Sequence, residues 1–160
     1  MDVDLPTQGL RDHWEDVEAD LEATAAELEG EGWTTVTLHA GDVTTRSGRD
    51  GGAAGLDVLA PGNEFEDLLD QVEAGAAFTE TAVFRQAAGG VAFLVCVLRD
   101  PDRRVAVLVP AFYPQTGEDA QALAEHAHDV GQVELHVRPL QRDRVVTFTV
   151  DDPELVFPES

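Results

Sequence analysis

The sequence predicts an α+β fold, a mainly antiparallel sheet with three helices in the order α-β-β-α-β-β-β-α-β-β. Apolar residues recur every three or four positions in three separated stretches, the helical period, and alternate with polar residues between them, the strand period. Two continuous apolar runs, Val91 to Leu98 and Val105 to Val109, flank Arg99-Asp100-Pro101-Asp102-Arg103-Arg104. Both runs are rich in valine and the break carries Asp-Pro-Asp turn chemistry, so they read as a β-hairpin at the centre of the sheet.

Taken in order, Leu10, Trp14, Val17, Leu21, Ala25 and Leu28 form one face of a first amphipathic helix, and Gly30 and Gly32 end it. Asp12, Glu15, Asp16, Glu18, Asp20, Glu22, Glu27 and Glu29 cover its other faces. From Trp33 to Ala40, Val36 and Leu38 oppose Thr35, Thr37 and His39, as in a strand with one wet face. Residues 41–55 hold five glycines with Arg46, Ser47, Arg49 and Asp50, and read as a flexible connection before a short strand at Leu56 to Leu59.

Asn63 is placed to cap a second helix, Glu64 to about Ala74, whose core face is Phe65, Leu68, Leu69 and Val72. Phe78 to Gln86 alternates, with Phe78, Ala82 and Phe84 opposed to Thr79, Thr81 and Arg85, and Gly89-Gly90 turns the chain into the central hairpin. Thr116 is the expected cap of a third helix running through Leu123 and Ala127 to about Asp129. Val133, Leu135 and Val137 mark the next strand and Val146, Phe148 and Val150 the last. Residues 1–160 are expected to form a single domain with loose ends at 1–10 and 151–160, Leu155, Val156 and Phe157 being able to dock on the body.

The formal net charge is -22, yet hydrophobic residues make up 43% of the chain, so the charge must sit on a folded surface. All ten basic residues are arginine; lysine and isoleucine are missing altogether. In multi-molar salt the Debye length falls to roughly 3 Å, and a surface crowded with carboxylates stops repelling itself while still holding water and cations. The composition therefore predicts a salt-adapted protein. With no amino-terminal segment of signal length and no long apolar run, a cytoplasmic location and no membrane contact are expected.

The same composition narrows the chemistry. Without lysine there is no Walker A loop and no Schiff base, and neither Ser47 nor Ser160 sits in a nucleophile elbow. Net charge opposes nucleic acid. Cys96 lies in the most apolar run and reads as a small buried hydrophobe. No cofactor or metal motif stands out. The one constellation with catalytic or metal-binding residue types is His39, Glu134, His136 and Arg138, all on polar strand faces, which would cluster if their strands were neighbours.

Val91, Phe93, Val95 and their alternates Ala92, Leu94 and Cys96 are apolar on both sides of the strand, so something must cover the second face. The chain's own tail or a helix would do so; so would a partner, with Val91, Phe93, Val95, Val107 and Val109 as the interface of a homodimer or of a contact with another protein. The expected function is accordingly a non-enzymatic domain working through protein contact or self-association. The alternative is a small-molecule or metal-binding enzyme built on the His39/Glu134/His136/Arg138 face.

The ending His136-Val137-Arg138-Pro139-Leu140 with Asp151-Asp152-Pro153-Glu154-Leu155-Val156-Phe157, set in an all-arginine acidic chain, resembles the small uncharacterised acidic domains of unknown function encoded by haloarchaea. That resemblance implies no catalytic residues. The element order is also similar to roadblock and profilin-like domains, which scaffold or sense ligands, an analogy of fold alone.

Overall fold

Helix α1 (Gln8–Gly30) buries Leu10, Trp14, Val17, Leu21, Ala25 and Leu28, the stripe its spacing requires, and leaves most of its acidic residues in solvent. The computed structural model describes residues 8–46, 54–141 and 144–157. After α1 come strands β1 (Thr34–Thr37), β2 (Asp42–Arg46) and β3 (Gly55–Leu59), helix α2 (Gly62–Glu73), strands β4 (Glu80–Ala88), β5 (Val91–Asp100) and β6 (Val105–Pro114), helix α3 (Glu118–Val130), strands β7 (Val133–Arg138) and β8 (Val146–Val150), and a 3-10 turn at Pro153–Leu155.

The strands form two four-stranded sheets, in the orders β1-β6-β5-β4 and β2-β3-β7-β8. β1 and β7, the strands that directly follow α1 and α3, enter parallel to β6 and β3, whereas the remaining pairs are antiparallel. The chain changes sheets between β1 and β2: the Leu38 N–H still donates to Leu108 O of the first sheet, and the Gly41 N–H already donates to Leu59 O of the second. The α+β class, the three helices and the mainly antiparallel pairing agree with the sequence. The structure adds β2 inside the glycine-rich connection, where Val43 supplies its one buried apolar side chain, and divides the strands between two sheets.

The hairpin β5–β6 is fastened at its turn by Asp100, whose carboxylate accepts the N–H groups of Ala77 at 2.9 Å, Asp102 at 3.0 Å and Arg103 at 3.1 Å. The Ala77 and Arg103 bonds in particular hold the Asp100 pKa below the usual carboxylate range.

The chain itself covers both faces of these central strands. On one side Trp14 of α1 packs 6.4 Å from Phe93 and 5.4 Å from Phe112, centroid to centroid. On the other, Leu94, Cys96, Leu98, Val107 and Val109 belong to the same buried core as Leu56, Val58, Leu135 and Phe148 of the second sheet. The tail closes one end, with the Tyr113 hydroxyl donating to Val156 O, the Phe157 ring 4.7 Å from Tyr113, and His128 Nε2 2.6 Å from Phe157 O. Phe93, Val95, Val107 and Val109 are therefore buried inside the single chain and Val91 is half-buried. An interface through these five residues would require opening the core.

The ends and caps also differ from expectation. Leu10, Pro153, Val156 and Phe157 are buried, so the packed body reaches further toward both termini than a loose 1–10 and 151–160 implies. Pro61 precedes α2, with φ of -56° suited to helix entry, and Asn63 lies within the first turn. Gly117 precedes α3 at φ of 105°, a backbone value that favours glycine, and displaces Thr116 from the cap.

Candidate functional site

The condition for the four-residue constellation, adjacency of β1 and β7, is not met. β1 pairs with β6 in the first sheet, whereas β7 lies between β3 and β8 in the second. His136 is opposite Asp57 on β3 and Thr147 on β8, so that one rung of the second sheet reads Thr44, Asp57, His136, Thr147. His136 Nε2 is 3.1 Å from Glu134 Oε1, near enough for an ion pair though outside hydrogen-bond geometry, and Nδ1 is 3.3 Å from the Thr147 hydroxyl. Arg138, opposite Leu59, makes no ion pair with Glu134 among the described residues. The close approach of β3 to β7 depends on Gly55, since a Cβ there would stand 2.1 Å from Glu134 O.

His39 belongs to a different arrangement, a bridge between two helices. Its Nδ1 lies 2.7 Å from Glu64 Oε2 of α2, its backbone N–H donates to Glu64 Oε1 at 2.7 Å, and its Nε2 lies 2.6 Å from Glu22 Oε1 of α1. Neutral imidazole has one N–H, so only the imidazolium donates to both carboxylates. Partial burial pulls the His39 pKa down, but the hydrogen bonds and charges of Glu64 and Glu22 outweigh it and hold the value above the ordinary 6.5.

A raised folded-state pKa means that folding favours the proton. The bridge's contribution is then complete below about pH 6.5 and is lost as pH rises through the folded value. Because the side chain is partly exposed, the contribution is on the order of 0.2–1 kcal/mol. Melting curves of the wild type and His39→Gln, recorded across pH at one KCl concentration, should differ most in mildly acid solution and converge as pH rises; a gap independent of pH would contradict the charged bridge.

A third feature sits at the edge of the first sheet. Among the described residues β4 pairs only with β5, leaving the other edge of a nine-residue strand without a strand neighbour. Phe84, at its middle, is 57% exposed. Beside it a groove of about 410 Å³ runs between α1 and the strands, lined by Val17, Asp20, Ala23 and Glu27 on the helix and by Phe84 and Gln86 on β4. The alternation places Phe84 on the core side with Phe78 and Ala82, and those two are half-buried, whereas Phe84 is not. The physical reason for the difference is width: one helix about 10 Å across cannot cover four strands spaced about 4.8 Å apart. α1 lies over β1, β6 and β5, and the helix-facing side of β4 extends past it.

Arg85, on the opposite face, is engaged inward: its Nε donates to the Tyr113 hydroxyl at 3.2 Å and its guanidinium stands 5.9 Å from the centre of that ring. Natural edge strands are usually blunted by lysine, proline or a bulge. β4 has no proline and no lysine, pairs with β5 without a break in register, and carries just two charges, Glu80 and Arg85. Cys96 offers no competing chemistry, since full burial pushes its thiol up to about 12.

Among the described residues these features define an α+β domain of two four-stranded sheets with a long open strand edge beside a helix groove. The chain belongs to the family of unknown function DUF7529, whose model matches residues 3–158. No curated protein and no solved structure matches it. Among the described residues no helix is long and apolar enough to cross a membrane, and no group of three or more His, Cys, Asp and Glu is placed to hold a metal ion.

Proposed function

We propose that this chain is a non-enzymatic contact domain of a salt-adapted, haloarchaeal cytoplasm, and that β4 is the edge through which it engages another protein chain. The single observation that carries the reading is the outer edge of β4, which pairs with no strand among the described residues and has Phe84 exposed at its centre. A free strand edge supplies a row of N–H and C=O groups whose pairing gives affinity, and alternate side chains give specificity. The charge of -22 and the lack of lysine support a molar-salt setting, in which such a contact forms despite the acidic surface.

The experiment is capture from native extract of the source organism at molar KCl, with immobilised wild type and Phe84→Glu side by side. The wild type should retain a protein chain, its own or another, in stoichiometric amount, and the variant should lose it. Equal retention by both, or retention only of a small molecule or metal ion, contradicts the reading.

A further inference from the structure

Resting on that reading of β4, we infer that the chain it receives is a second copy of itself, paired antiparallel about a two-fold axis that runs perpendicular to the sheet midway between the two Phe84 residues. The support is the self-complementarity of the strand in that register. On the α1 side Phe84 meets Phe84, Ala82 meets Gln86 and Glu80 meets Ala88; on the other side Val83 meets Arg85 and Thr81 meets Ala87. Apart from the central aromatic pair, each long side chain faces a shorter one, and no charge faces a like charge. The paired edge is about 30 Å long, and the two first sheets become one eight-stranded sheet.

A two-fold axis of this kind keeps both α1 helices on one side of the joined sheet. Each Phe84 then closes the outer flank of the neighbouring copy's groove, which is lined by small Ala23 and Thr24 as well as by Asp20 and Glu27. The aromatic pair removes from water the most exposed ring of the sheet. Asp20 and Glu27 of one copy approach the same residues of the other, and two chains of -22 repel each other as a whole. Association therefore requires screening: the dimer forms at molar KCl and dissociates as salt is withdrawn.

The geometry is tested by placing a thiol on the axis. In an antiparallel pair, directly opposed Cα atoms lie about 4.5–5.5 Å apart, within disulfide reach. In the proposed register Phe84→Cys faces its own copy, whereas Gln86→Cys faces Ala82 and lies about 14 Å along the strand from its counterpart. The native Cys96 is fully buried and does not compete. With diamide as oxidant at molar KCl, Phe84→Cys should convert to a covalent dimer and Gln86→Cys should remain a monomer, with cross-linking of the first lost at low salt.

Failure of Phe84→Cys to cross-link at any salt concentration, or equal cross-linking of both variants, overturns the inference. The two levels separate cleanly. If the wild type captures a different protein and Phe84→Glu loses it while Phe84→Cys stays monomeric, the second copy is wrong and β4 remains the contact. If the wild type sediments as a dimer that Phe84→Glu leaves intact, both fail.

Discussion

Phe93→Ala is expected to destabilise the folded chain by about 3–5 kcal/mol, the usual loss when a buried aromatic ring is truncated in a core that collapses incompletely around the gap. Phe93 is 1% exposed near the start of β5, with Trp14, Phe112 and the His13 ring, 4.5 Å away, packed on it. In a domain of this size each kcal/mol moves the melting temperature by about 2–4 °C, so the drop should be roughly 6–20 °C. It should be the same at every protein concentration, since the ring is covered by its own chain. A small or concentration-dependent change, accompanied by loss of association, would return Phe93 to an interface role.

Phe84→Glu should do the reverse. The ring is more than half exposed, and surface substitutions of this kind usually change stability by no more than about 0.5 kcal/mol. Between paired edges, however, the variant places two carboxylates opposite each other in a site that has lost its water. Association should weaken by at least about 100-fold, which corresponds to about 2.7 kcal/mol. Sedimentation at molar KCl, with melting curves from the same samples, reads both quantities. Unchanged association would remove Phe84 from the contact, and an unfolded variant would show that it serves the fold.

The contrast between Phe93 and Phe84 illustrates what the sequence makes legible. Local periodicity suffices for the helices and for the central hairpin, because each is specified by residues within a few positions of one another: the six buried residues of α1 are those its three-and-four spacing selects. β2 is hidden because a single buried valine among threonines, beside a glycine-rich run, gives almost no alternation to read. The division into two sheets depends on pairings between distant segments, such as β1 with β6 and β3 with β7, which periodicity does not encode.

The candidate sites show the same limit. The polar-face positions of His39 and His136 group them in the sequence, but which strands are neighbours is a global property, and it separates them. The actual partners of His39, Glu22 and Glu64, are 17 and 25 residues away on two different helices, with many other acids equally eligible in an acidic chain. Phe84 alternates as a core residue does. Only the finite width of α1 against a four-stranded sheet leaves it outside, and that follows from strand order.

Amide hydrogen exchange of β4 tests most directly whether its edge is the contact. In dilute protein at molar KCl, the amides of residues 80–88 that point away from β5 have no strand partner among the described residues and should exchange quickly, while those of β5 and β6 exchange slowly. Raising the concentration, or adding the captured chain, should slow exchange in β4 and leave the central strands as they were. Protection that appears in another segment, with β4 unaffected throughout, would contradict it.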